Sequence, residues 1–152
     1  MKSIIFSLVL LTGLAATSAC KKSDTSAPTM STMTVSGVLN GSQQVPANPS
    51  VATGTLSGTY DKTAKLLTYS VTYYGLTPTI GHFHIGAPGA KGPVAVPFAF
   101  NNYTNDGFVS PITGSATLTA KQDSALLHSA FYANLHSATY PGGEIRADVT
   151  VK

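Results

Sequence analysis

Between Gly54 and Tyr74 the chain reads GTLSGTYDKTAKLLTYSVTYY, two extended arms about a short turn. Gly54–Tyr60 is one extended arm, Asp61–Lys65 (DKTAK) a turn, and Leu66–Tyr74 the returning arm. In the second arm Tyr69, Val71 and Tyr73 fall on one side, and Thr68, Ser70 and Thr72 on the other. A period of two buries one face of a sheet and leaves the hydroxyls outside.

The same pattern recurs on both sides of this hairpin. Thr34–Asn40, Ile80–Ile85, Val94–Phe100, Gly107–Leu118, Phe131–His136 and Glu144–Val151 read as further strands, with Pro97 marking an edge or a bulge in its own. One short helix interrupts them. Thr119-Ala120-Lys121-Gln122 fits a capping box, and Ala125, Leu126 and Leu127 supply its buried side. Seven to nine short strands with one helix predict an all-β domain, an antiparallel β-sandwich or Greek-key barrel.

Composition agrees. Of 152 residues, 36 are Ser or Thr and only 10 % are charged, against roughly 25 % in ordinary soluble domains. The net charge of +3 comes from scattered Lys and Arg, with Lys21-Lys22 the only adjacent pair, so no surface is set up to track phosphates. Nucleic acid is not an expected partner. No P-loop, Gly-rich dinucleotide turn or nucleophile elbow is present.

The N-terminus reads as an address. Met1-Lys2-Ser3 is a short basic start, and Ile4–Ala16 is apolar but too short to span a bilayer, which takes about 20 residues. Thr17-Ser18-Ala19-Cys20 is similar to a bacterial lipobox, with Thr17 where Leu is usual. Residues 1–19 are thus expected to be a lipoprotein signal peptide, and Cys20 the lipidated residue that anchors the chain to a membrane. An ordinary signal peptide with a chance cysteine is the plainer alternative. Lys21 after the cysteine gives no inner-membrane retention signal, so the periplasmic and outer faces of the envelope both stay open. Residues 20–33 read as a flexible tether and 34–152 as the folded domain. Since Cys20 is the only cysteine, the domain contains no disulfide and no thiolate ligand.

His82-Phe83-His84 is the most informative triplet for chemistry. Residues i and i+2 of a strand share a face, so two imidazoles point one way and Phe83 the other. Two neutral imidazoles at this spacing are half of a zinc or copper site, and His136 could add a third ligand. Glu144 or Asp148 could orient a ring from behind. The plainer reading is that these histidines bond backbone and hydroxyl groups of a Thr-rich sheet. His128, in the helix-to-strand connection, reads as a surface residue. Arg146 shares a face with Glu144 and Asp148. It could clamp a ligand carboxylate, but its favoured role is structural, between carboxylates or on loop carbonyls. The loop Gly86–Pro93 (GAPGAKGP) follows the triplet at once, where binding sites tend to lie.

At these residues the chain resembles the CHRD domain, a module first described in chordin and common in bacterial secreted proteins. The resemblance rests on His82-Phe83-His84-Ile85-Gly86, Gly89 with Gly92-Pro93-Val94, Leu126-Leu127, Tyr132-Ala133-Asn134-Leu135-His136 and Pro141-Gly142-Gly143-Glu144-Ile145-Arg146, all in order. Phe83 stands where Ile or Val is commoner, and Ala133 where Val is. The resemblance implies an immunoglobulin-like or superoxide-dismutase-like sandwich acting as a binding or interaction module, with no established catalytic activity. Its ligand or protein partner is not implied. Gly81-His82-Phe83-His84 is also similar to the His-x-His strand that gives two copper ligands in Cu,Zn superoxide dismutases. Four histidines and no free cysteine in the mature domain cannot build that dinuclear site, which leaves a mononuclear copper or zinc site, open to redox chemistry if copper fills it, as the alternative function.

Overall fold

A computed structural model describes residues 32–99, 103–104 and 107–152 of the chain. The signal segment, Cys20 and nearly all of the expected tether lie outside the described residues. Among the described residues, eleven strands, one α-helix and one 3-10 turn (Gly41–Gln43) follow one another. Strand β1 (Thr32–Asn40), β2 (Thr53–Asp61) and β3 (Leu66–Tyr74) form a meander. β4 (Pro78–Ile85) and β5 (Val94–Pro97) come next, then the short β6 (Tyr103–Thr104) and β7 (Gly107–Phe108). β8 (Ile112–Thr117), α1 (Ala120–Leu127), β9 (Phe131–Ser137), β10 (Ile145–Asp148) and β11 (Thr150–Val151) complete the order.

Nine strands make one antiparallel sheet in the order β5-β4-β9-β10-β1-β2-β3-β8, with β11 also on β1, while β6 and β7 pair apart. The sheet folds over at β1 and β10, which meet at Asn40 and Arg146. The two halves then face each other around an aromatic cluster. Tyr69 of β3 meets Phe83 of β4 edge-on with ring centroids 5.1 Å apart, and Phe98 and Phe131 pack on Phe83 at 4.9 and 5.4 Å. Val35, Leu56, Leu67, Val71, Leu135 and Ile145 fill the remaining space. With no disulfide, this burial carries the stability, each enclosed large apolar side chain contributing about 1.5–3 kcal/mol.

The alternation read in Leu66–Tyr74 is present: Leu67, Tyr69 and Val71 are buried, and Thr68 and Thr72 exposed. Thr119 caps α1 with the reciprocal Gln122 contact, and Ala125 and Leu126 are buried, whereas Leu127 is only partly so. Tyr60 donates to Asp123 at 2.6 Å and Gln122 to the Ala95 carbonyl at 2.8 Å, which tie the helix down.

Five expected strands need correction. The first begins at Thr32 and the Ile80–Ile85 strand at Pro78, each two residues before the expected boundary. Val94–Phe100 ends at Pro97, because proline has no N–H for the ladder, and Phe100 lies outside the described residues. Gly107–Leu118 is two strands divided around Pro111, for the same reason. Glu144–Val151 breaks at Val149, whose N–H goes to the Phe131 carbonyl while the chain turns onto β1.

Candidate metal centre

The site follows from register. His82 lies opposite Asn134, Asn134 opposite Arg146, and Arg146 opposite Asn40, one row across four strands. The next row is His84, Tyr132 and Asp148. Direct partners share a face, so these side chains all stand on the outer face of the β4–β9–β10 half. Their inward neighbours Phe83, Ala133, Leu135 and Ala147 lie in the core. His136, two residues beyond Asn134, joins the same face.

One ring nitrogen from each of His82, His84 and His136 lies within 4.8 Å of the others. The Nδ1 atoms of His84 and His136 sit 3.0 and 2.9 Å from the carbonyls of Gly92 and Pro141. A carbonyl only accepts, so both Nδ1 atoms carry the proton, and each neutral ring keeps its lone pair on Nε2. Both Nε2 atoms lie beside Oδ1 of Asn134, at 3.1 and 3.2 Å. The O and N of an amide are assigned from their partners; with the two exchanged, an amide hydrogen faces each imidazole lone pair, and this side chain must turn aside before those nitrogens ligate an ion. The buried Nδ1 of His82 has no hydrogen-bond partner. Desolvation, then the neighbouring His136 and His84, pushes the His82 pKa down to about 4. Burial likewise lowers that of His84.

Two loops hold the rings. The Gly86–Pro93 loop folds over His84, and a Cβ on Gly92 would collide with the Ile85 carbonyl, so glycine is needed to bring the Gly92 carbonyl to His84. The Ser137–Gly143 turn presents Pro141 to His136 and closes through Gly143 at a positive φ of 117°.

Arg146 is 1 % exposed. It pairs with Asp148 at 2.7 Å, donates to the Ala90 and Ala87 carbonyls at 2.7 and 3.4 Å, and lies 3.6 Å over the Tyr132 ring. Tyr132 in turn stacks on His84 at 4.7 Å. Arg146 therefore fastens the loop and backs the His84 ring.

The carboxylates do not take the orienting role. Glu144 accepts from Ser50 at 2.8 Å and from Ser137, and Asp148 faces Arg146. Asn134 and two backbone carbonyls orient the rings instead. Asn134 is the functional residue that spacing overlooked, although its alternation with Tyr132 and His136 signalled the shared face. His128 is exposed at the C-cap of α1, its Nδ1 on the Ser124 carbonyl.

The folded state holds His82 and His84 neutral, whereas the unfolded chain protonates them near pH 6.5. The unfolded state thus binds more protons between about pH 6.5 and 4, and stability falls as pH drops through that window. After discounting for solvent screening at half-buried rings, the expected loss is about 2 kcal/mol. Urea unfolding of metal-free protein at pH 7.5, 5.5 and 4.5 checks it. His82→Gln should flatten the profile, and a flat wild-type profile would refute the assignment.

A folded-over antiparallel sheet with a histidine-rich outer face under two loops defines a β-sandwich module with a built polar site. The chain belongs to the CHRD domain family, whose sequence model matches residues 35–149. Membership places it among binding or interaction modules. No curated protein and no solved structure matches the chain.

Proposed function

We propose that this domain is a metal-binding module of the bacterial cell envelope, anchored through a lipid on Cys20, with His82, His84 and His136 holding one copper or zinc ion. The observation that carries this reading is the convergence of three imidazole nitrogens within 4.8 Å, with the protons of His84 and His136 directed away onto carbonyls. That is the pattern of ligating histidines, where the second ring nitrogen donates to a backbone carbonyl and fixes the tautomer. Imidazole suits both zinc and copper. The low pKa of His82 keeps it neutral, as a ligand must be, far below neutral pH. Imidazole nitrogens ligate zinc at about 2.0–2.1 Å, so the three rings would have to draw closer together around an ion.

Metal analysis of the full chain after mild purification tests the centre. Near-stoichiometric copper or zinc is expected, falling to background in a His82→Ala, His84→Ala double variant. Adding the ion to stripped protein at a hundredfold excess over Kd should stabilise the wild type by about 2.7 kcal/mol and the variant not at all. A metal-free wild type whose unfolding neither ion shifts would end the reading. Intact-mass measurement of the membrane-extracted protein tests the anchor, and an unacylated chain starting elsewhere than Cys20 would reject it.

A further inference from the structure

Two cavities open beside the histidines and share Gln44, Val45, Lys91 and Gly142 in their walls. The inner one, about 150 Å³, reaches His84, His136 and Asn134. The outer one, about 270 Å³, runs between Pro46 and Ala47 on one side and Tyr140 and Pro141 on the other. His82 lines neither. Of the three imidazoles, two border the inner cavity, and the third, partly exposed, lies outside its walls.

The charges around this cleft are one-sided. No carboxylate lines either cavity. Glu144 is turned into Ser50 and Ser137, and Asp148 into Arg146. Lys91 is exposed at the mouth and, among the described residues, forms no ion pair. Three neutral imidazoles leave the charge of a divalent ion uncompensated, and three protein ligands leave a tetrahedral ion one open position.

Resting on the metal reading above, the geometry points to an open coordination position on the cleft side of the centre that takes a small anion, up to the size of a short organic carboxylate, with Lys91 drawing it in. The inner cavity holds the anionic head. The walls formed by Val45, Pro46, Ala47, Tyr140 and Pro141 suit an apolar tail.

Cobalt(II) loaded into the stripped full chain reports this position through its visible absorption, whichever metal is native. Titration with sodium azide should shift the spectrum and saturate, and sodium acetate should compete. Lys91→Ala should bind cobalt as before but azide about fivefold more weakly, with the difference shrinking as salt is added. Lys62→Ala, in the β2–β3 turn, should match the wild type. Failure to bind cobalt would overturn the metal reading itself. Bound cobalt with a spectrum indifferent to both anions would overturn the open position and leave the metal reading standing. Equal azide affinity with and without Lys91 would overturn the role given to that lysine.

Discussion

Replacing Arg146 by alanine is expected to cost about 3 kcal/mol of stability, the lower end for breaking a buried ion pair. The lower end applies because the Asp148 side chain is 33 % exposed and water can solvate it once its partner is gone. The larger part of the loss lies elsewhere. The Ala87 and Ala90 carbonyls lose their donor, and the Tyr132 ring loses the guanidinium 3.6 Å above it. Arg146→Lys keeps a charge but not the planar fork that reaches Asp148 and two carbonyls together, so it should recover less than half. Asp148→Asn should cost only about 1 kcal/mol. Urea unfolding of the three variants gives the order. An Arg146→Ala variant as stable as Asp148→Asn would show that the loop contacts contribute nothing. The same variant has a second readout. If the Arg146–Tyr132–His84 stack holds the His84 ring in place, metal affinity should fall about 10- to 100-fold, as when outer partners of ligating histidines are removed.

What the sequence disclosed, and what it withheld, follows from the range of the interactions involved. The Gly54–Tyr74 hairpin was legible because alternation and turn chemistry are local. The α1 cap was legible because Thr119 and Gln122 are three residues apart. The common face of His82 and His84 needed only the pleat. That His136 comes beside them depends on β4 pairing with β9, which places Ile80 opposite His136 across more than fifty residues of chain. His136 was put forward as a third ligand as the histidine ending a later strand, and nothing in the spacing placed it beside the pair. Glu144 was given the wrong neighbour: it precedes β10, and its partner Ser50 lies 94 residues away on a loop without periodicity. Asn134 was passed over because, although it lies within the Tyr132–His136 motif, an asparagine in a strand is not in itself a metal ligand or a catalytic group. Its role as the amide between two imidazoles exists only once three side chains are in register.

The strand that carries two of these residues also allows the core and the site to be separated by mutation. Along β9, Ala133 and Leu135 point inward and are fully buried, while Tyr132, Asn134 and His136 point to the site. Leu135 packs against Gly81, where even a Cβ would come within 2.8 Å of its Cδ2. Leu135→Ala therefore leaves a hole between β4 and β9 in the folded-over sheet. With Phe83 and Phe98 held by the aromatic cluster, little can collapse into it. The expected loss is about 2–5 kcal/mol, the range for truncating a buried leucine. His136→Ala removes one hydrogen bond to the Pro141 carbonyl and one contact with Asn134, both near the surface, and should cost at most about 1–2 kcal/mol in metal-free buffer. Urea unfolding of both variants, repeated with copper or zinc, separates the roles. In metal the His136 penalty should grow, because the variant forfeits the stabilisation the ion gives the wild type, while the Leu135 penalty stays nearly constant as long as the ring positions survive. A His136→Ala variant as damaged as Leu135→Ala without metal would make the histidine part of the structural core and remove the third ligand from the proposed centre.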